Sequence, residues 1–135
     1  MNNDWLYFGI FFKGEEKQKL LNLAKKYVPD DWRIYCDHCT LAFNDGNYKS
    51  ISTAEAVSQR LGEEISVCGF SIGISDNAIA LRLSSAPTAN EIPHITLGVK
   101  PGHYPVESNY ITEWEELSSL VFLKGVIDVA KKKKA

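Results

Sequence analysis

The chain has 135 residues, of which 44% are hydrophobic and 24% are charged, and its formal net charge is −2. This length fits one globular domain that buries roughly two-thirds of the surface of its unfolded chain, so a core needs no metal or disulfide. The composition excludes a disordered chain, and the charge balance disfavours a protein that coats nucleic acid through one dominant basic face.

The first predicted elements are a strand, a helix and a second strand-like stretch. The aromatic run over about residues 5–13 has no polar face, which indicates a buried central strand. A helix begins at Glu15, shows an apolar stripe and ends at Pro29. Residues 33–43 then predict a strand or a pair of strands, and residues 44–47 form a turn cluster.

A capping box at Ser52–Glu55 predicts a second helix that ends with Gly62 just beyond its last turn. The rest of the chain predicts, in order, a strand at 64–74, a tight turn at 75–77, a returning strand at 78–83, a loop at 84–90, a strand at 93–99, a loop at 100–109, a short helical or irregular segment at 111–119 and a strand at 120–129. Strands outnumber helices, so the predicted class is α+β with a mostly antiparallel sheet and two outer helices. We expect a single domain over residues 1–130 and a basic tail over residues 131–135.

Two tetrapeptides in strand-like segments share the pattern His-x-Thr-Leu, namely His38–Leu41 and His94–Leu97. Residues two apart on a strand face the same side, so each motif places one imidazole and one threonine hydroxyl on one face. The intervening residues face the opposite side and are Cys39, Leu41, Ile95 and Leu97. We predict that the two motif strands are adjacent and central, and that both His-Thr pairs line one cleft.

This pairing suits the hydrolysis of a phosphodiester. Threonine hydroxyls donate hydrogen bonds to the non-bridging oxygens of a phosphate. Histidine titrates near neutral pH, so one imidazole can deprotonate the attacking water while a second protonates the leaving oxygen. The four residues His38, Thr40, His94 and Thr96 therefore form a candidate site that needs neither a metal nor another cofactor.

The two motifs resemble the signature of the 2H phosphoesterases, in particular the cyclic phosphodiesterase domain of fungal and plant tRNA ligases. Three other stretches carry the same resemblance: Tyr7–Ile10, the strand–turn–strand segment Gly69–Leu83, and Pro105–Asn109. Together the similar segments extend over about residues 5–129, which is nearly the whole chain.

The resemblance implies a bilobal α+β fold whose central cleft is lined by the two motifs. It also implies metal-independent hydrolysis of a 2′,3′-cyclic phosphate, on RNA ends or small cyclic nucleotides, with release of the 3′ oxygen to leave a 2′-phosphate. The catalytic histidines carry over to His38, as the acid, and His94, as the base, and the phosphate-binding hydroxyls carry over to Thr40 and Thr96. The short interval between the motifs implies a more open substrate pocket.

Three further features have both a functional and an ordinary interpretation. By the resemblance, Tyr7 stacks a base of the substrate, although burying an aromatic residue of a central strand is the commoner use. His103 follows the second motif and either reaches over the cleft or is an exposed loop histidine. Lys131–Lys134 either contacts RNA phosphates or is a solvated tail.

The cysteines Cys36 and Cys39 have the spacing of half a zinc site, but no second ligand pair follows. Strand alternation places Cys36 on the His38 face and Cys39 on the other, which is poor chelating geometry. Cys68 brings the number of cysteines to three, which is odd for a set of disulfides. The first residues of the sequence also lack the positively charged segment that opens a secretory signal peptide. We therefore expect no metal, no disulfide, no membrane association and a cytoplasmic or nuclear monomer that is not secreted.

Two other functions remain compatible with the sequence. A non-catalytic module could use the same cleft to bind nucleotides or RNA ends. The chemistry could also act on ADP-ribose 1″,2″-cyclic phosphate or on 2′-5′-linked oligonucleotides, and the motifs do not separate these substrates.

Overall fold

The computed structural model describes residues 4–132 and has an α+β fold with a seven-stranded antiparallel sheet. The elements in chain order are β1 (Trp5–Phe11), α1 (Glu15–Tyr27), β2 (Arg33–Ile34), β3 (His38–Phe43), α2 (Tyr48–Ser58), β4 (Glu64–Ile74), β5 (Ala78–Leu83), β6 (His94–Val99), a 3₁₀ helix (Pro105–Tyr110) and β7 (Trp114–Lys131). Of the predicted basic tail, Lys131 ends β7 and Lys132 follows it, whereas residues 133–135 lie outside the described residues.

The strands form one continuous sheet in the order β2-β6-β5-β4-β7-β1-β3, and every described pair is antiparallel. The prediction that the motif strands are central neighbours is wrong, because β3 is one edge strand and β6 lies next to the other edge. The middle strand is β4, and the long strand β7 beside it pairs with β4 on one side and with β1 on the other. The expected division into two lobes is not confirmed by this topology.

The two edges of the sheet nevertheless come close together in space. Only Tyr35, Cys36 and Asp37 connect β2, at one edge, to β3, at the other. An extended chain spans at most about 3.6 Å per residue, so this short connection requires the sheet to curl toward itself. The backbone N–H groups of Tyr35 and Cys36 donate to the carbonyls of Leu97 and Thr96, each at 3.0 Å. The start of β3 therefore lies beside β6 without pairing with it.

One face of the sheet packs against both helices. The helix residues buried in this core are Leu20, Leu23 and Ala24 of α1 and Ala54 and Val57 of α2. The core-facing residues of the two motifs, Cys39, Leu41, Ile95 and Leu97, are each 0% exposed. Their burial confirms the predicted alternation, and each large apolar side chain contributes about 1.5–3 kcal/mol to folding. The opposite face, called the motif face here, carries His38, Thr40, His94 and Thr96.

The second helix begins earlier and ends earlier than the sequence predicts. It runs from Tyr48 to Ser58, so the expected capping box lies inside it and Gly62 lies beyond its end. The side chain of Asp45 accepts a hydrogen bond from the backbone N–H of Asn47 at 2.9 Å. This contact organises the preceding turn and allows the helix to begin there, because aspartate readily bonds the backbone two residues on.

The segment predicted as short helix or irregular chain instead opens β7, at Trp114. Opposite β4, the register passes from Glu116 facing Ser71 to Val121 facing Gly69, so the residues in between bulge out of the ladder. The bulge interrupts the alternation that sequence analysis relies on. Within residues 4–132, no helix is both long and apolar enough to cross a membrane.

Candidate active site

His38 is held by polar contacts on both of its ring nitrogens. Nδ1 lies 2.5 Å from Oδ1 of Asp37, and Nε2 lies 3.1 Å from the hydroxyl oxygen of Thr40. Partial burial raises the pKa of Asp37, but the hydrogen bond and the charge of His38, together with Lys17, outweigh it and the pKa is lowered overall. The carboxylate is thus ionised at neutral pH and accepts a hydrogen bond from Nδ1–H. The other ring nitrogen, Nε2, faces the hydroxyl of Thr40.

Aromatic rings of β1 pack against the same imidazole. The ring of Tyr7 stacks on it at 4.7 Å and the ring of Phe11 at 5.5 Å, measured between centroids. Gly9 lies between them and leaves room, since a Cβ there would be 3.0 Å from the carbonyl oxygen of Cys39 and 3.6 Å from Cδ2 of His38. The ring of Tyr7, predicted to stack a substrate base, packs on the candidate catalytic histidine, and its contact with a base remains a prediction.

His94 is the first residue of β6 and is only 8% exposed. Its Nδ1 lies 2.9 Å from the carbonyl oxygen of Ile92, which can only accept, so Nδ1 carries the hydrogen and Nε2 of the neutral ring carries the lone pair. Burial lowers the pKa of His94, the Ile92 hydrogen bond opposes this, and the charge of His38 lowers the pKa further. The ring is therefore neutral near pH 7.

The two motifs meet across the gap between β3 and β6. Electrostatic interactions cross this gap, because the backbone N–H of His94 acts on the thiol of Cys39 and the charge of His38 lowers the pKa of His94. The loop that leads into β6 also closes onto β3, because the hydroxyl of Thr88 donates to the carbonyl of Thr40 at 2.8 Å. The structure thus brings together the two predicted His-Thr pairs on one face, although their strands are not paired.

Two residues that sequence analysis did not assign complete this arrangement. The hydroxyl of Ser108, in the 3₁₀ helix, lies 2.9 Å from the hydroxyl of Thr96, and Ser108 is 2% exposed. Ser108 belongs to a stretch that resembles the phosphodiesterases, but nothing local marked it as a partner of Thr96. Asp37 is the other, and its sequence signal was an acid immediately before a motif histidine.

His103 makes its contacts outside the motif pairs. Its Nδ1 lies 3.0 Å from both carboxylate oxygens of Glu107, and the same carboxylate accepts hydrogen bonds from the backbone of Tyr104 at 2.9 Å and the amide of Asn77 at 3.1 Å. In the described part of the chain, His103 thus braces the turn before the 3₁₀ helix. Its predicted reach over the cleft remains a prediction.

Cys36 does not share the face of His38, contrary to the expected alternation. It has a backbone φ of 55°, in the left-handed region, and is 0% exposed. Its sulfur lies 3.6 Å from the carbonyl of Leu20 and 3.5 Å from that of Leu97. The bend turns the thiol into the core, and burial, helped by the charge of Asp37, raises the pKa of Cys36 to about 12.

The described residues contain no group of three or more His, Cys, Asp or Glu side chains that could hold a metal ion. Two shallow grooves run along α1, one lined in part by Leu21 and Val28 and the other by Leu23 and Phe122. Neither is lined by a motif residue.

No family profile matches the sequence, and no curated protein is significantly similar to it. Among solved structures, the fold is similar to a chain described as "Crystal Structure of Fungal RNA Kinase", with a TM-score of 0.71 and 14% sequence identity. The match covers 98% of this chain and 46% of that one, so this chain spans about half the length of the fungal protein. At this identity the similarity shows the fold alone.

Proposed function

We propose that this protein hydrolyses 2′,3′-cyclic phosphates, on RNA ends or small cyclic nucleotides, by acid–base catalysis with two histidines and no metal. The observation that carries the proposal is the meeting of His38, Thr40, His94 and Thr96 on one face, with the imidazoles within electrostatic reach of each other. Two threonine hydroxyls and two imidazoles are the donors, the acid and the base that this reaction needs.

His94 is the general base of the proposed reaction. Its Nδ1–H is committed to the carbonyl of Ile92, so the lone pair of Nε2 is the one that accepts a proton from water. Burial lowers the pKa of His94 and keeps this lone pair available near neutral pH. The activated water attacks phosphorus from the side opposite the 3′ oxygen, and the P–O3′ bond breaks as the new P–O bond forms.

His38 is the general acid, and it gives the proton on Nε2 to the departing 3′ oxygen, which leaves a 2′-phosphate. The carboxylate of Asp37 receives the Nδ1–H bond and stabilises the charged imidazole before transfer. The hydroxyls of Thr40 and Thr96 donate hydrogen bonds to the non-bridging phosphate oxygens. These hydrogen bonds strengthen as negative charge builds on the oxygens.

The structural comparison supports the RNA side of this proposal, and the sequence does not favour a kinase reaction. The similar fungal chain is described as an RNA kinase, and RNA is the substrate class that the sequence resemblance also implies. This chain contains no Gly-x4-Gly-Lys-Ser/Thr segment, which is the phosphate loop of P-loop nucleotide-binding proteins. The paired His-Thr motifs are therefore the feature on which the proposal is built.

The test is hydrolysis of adenosine 2′,3′-cyclic phosphate and of a 2′,3′-cyclic-ended RNA oligonucleotide in excess EDTA, with product identification by phosphorus NMR. Because general acid–base groups are each worth about 10²–10⁴-fold, His38→Ala and His94→Ala should each lower kcat by at least about 100-fold. The pH–rate profile should be bell-shaped, because one imidazole must be neutral and the other charged.

Tyr48→Ala is the matched control, because Tyr48 is 85% exposed at the start of α2 and, among the described residues, makes no hydrogen bond or ring contact with a motif residue. Turnover that survives the double His38→Ala/His94→Ala change, or that EDTA abolishes, contradicts the mechanism. Binding of the cyclic nucleotide without turnover would instead favour the non-catalytic module, and activity confined to ADP-ribose 1″,2″-cyclic phosphate or 2′-5′ linkages would change the substrate.

A further inference from the structure

Arg82 stands beside the candidate active site on the next strand of the sheet. In the pairing of β5 with β6, Arg82 lies opposite His94, and Ala80 lies opposite Thr96. Directly opposed residues of an antiparallel pair project on the same face, with Cβ atoms about 4.5–5.5 Å apart. The guanidinium of Arg82 thus emerges on the motif face.

Two aromatic rings hold this guanidinium in place. Its central carbon lies 5.6 Å from the ring centroid of Phe70 and 5.8 Å from that of Trp114. The indole N–H of Trp114 donates to the carbonyl of Ile111 at 3.2 Å, which fixes the ring. Gly73 lies beneath it, where a Cβ would be 2.5 Å from Cζ3 of Trp114. The side chain of Arg82 is therefore ordered before any ligand arrives.

Among the described residues, the N–H donors of Arg82 have no anionic partner. Within residues 4–132, no carboxylate forms an ion pair with it, whereas Arg60 is paired with Glu63 at 2.8 Å. Arg82 is only partly buried and none of its nitrogens is buried without a partner, so its donors are open to solvent and to a ligand. A half-buried guanidinium without a counter-ion favours binding of an anion, and its planar fork suits a phosphate.

The position of Arg82 indicates which phosphate it holds. Strand β5 lies on the side of β6 away from β3, so Arg82 is one strand spacing, about 4.8 Å, further from His38 than His94 is. The cyclic phosphate sits between the two histidines in the proposed function. The next anion along a nucleotide is its own 5′-phosphate.

We propose that Arg82, held between Phe70 and Trp114, binds the 5′-phosphate of the nucleotide whose 2′,3′-cyclic phosphate is hydrolysed. This inference rests on the proposed function and deepens it, because it makes the end of an RNA chain a better substrate than a cyclic nucleoside phosphate without a 5′-phosphate. Binding of this second phosphate also sets the direction in which the nucleotide enters the site.

The test compares two product-like ligands that differ only in the 5′-phosphate: adenosine 2′-monophosphate and adenosine 2′,5′-bisphosphate. Titration calorimetry gives their dissociation constants for the wild type, Arg82→Met, Arg82→Lys and the control Arg60→Met. A hydrogen bond to a charged group predicts that the wild type and Arg60→Met bind the bisphosphate about tenfold or more tightly than the monophosphate. In Arg82→Met the two affinities should become nearly equal, and Arg82→Lys should keep part of the preference.

The outcomes separate this inference from the proposed function. A preference for the bisphosphate that depends on Arg82, without hydrolysis of any cyclic substrate, would support the phosphate site and refute the hydrolase. Hydrolysis that is indifferent to the 5′-phosphate and unchanged in Arg82→Met would overturn the phosphate site alone. Equal affinities in the wild type, or no measurable binding of either ligand, would overturn it as well.

Discussion

Replacing Thr96 with valine tests whether its hydroxyl binds the phosphate in the transition state. Valine has nearly the same shape, so the half-buried site stays filled and only the hydroxyl is lost. A hydrogen bond to a charged group is worth about 1.5–3 kcal/mol. Since 1.36 kcal/mol corresponds to a tenfold change in rate, kcat/KM should fall by about 13- to 160-fold.

The bond between Thr96 and Ser108 adds a second part to this prediction. The buried Ser108 hydroxyl lies 2.9 Å from that of Thr96 and orients it. A neutral hydrogen bond is worth about 0.5–1.5 kcal/mol, so Ser108→Ala should lower kcat/KM by about 2- to 13-fold. Ser108 acts through Thr96, so the double variant should be no worse than Thr96→Val alone, a non-additivity of the kind expected for directly bonded residues.

The assay is steady-state hydrolysis of adenosine 2′,3′-cyclic phosphate, with urea denaturation of each variant to confirm that it is folded. Thr96→Ser retains a hydroxyl and serves as the matched control, which should keep most of the activity. A folded Thr96→Val protein with wild-type kcat/KM would refute the role of the hydroxyl. A further loss on adding Ser108→Ala to Thr96→Val would show that Ser108 contacts the substrate itself.

Three other predictions concern the residues behind and beside the site. In Gly9→Ala the new Cβ would lie 3.0 Å from the backbone oxygen of Cys39 and should displace β3. We expect the free energy of unfolding to fall by about 1–3 kcal/mol and the hydrolysis rate to fall with it. Unchanged urea melts and rates would contradict this. Leu41→Ala empties a fully buried position and should cost about 2–5 kcal/mol in the same melts, whereas a cost below about 1 kcal/mol would show that the core collapses into the space. Burial lowers the pKa of His94, so its contribution to stability is complete above the ordinary imidazole pKa and is lost as the pH falls through the folded-state value. The stability of the wild type relative to His94→Gln should therefore shrink between pH 7.5 and pH 5, and a constant difference would contradict the buried neutral ring.

Local sequence determined the features that depend on local periodicity. Alternation along a strand placed the His-Thr pairs on one face and Cys39, Leu41, Ile95 and Leu97 in the core, because successive strand side chains point to opposite sides whatever the partner strand is. The first helix follows the predicted limits closely, from Glu15 to Tyr27, since its apolar stripe and its stop at Pro29 are also local signals.

Tertiary structure alone decided the positions of the motif strands. No local signal shows that β4 takes the centre of the sheet with β7 beside it, or that the short connection through Cys36 curls the edges of the sheet together, because strand order arises from pairings between distant residues. The partnership of Thr96 with Ser108, the stacking of Tyr7 on His38 and the place of Arg82 beside His94 have the same origin. The residue types of a candidate site can be read along a strand, whereas the residues that orient them come from other strands and loops, which only the folded chain brings together.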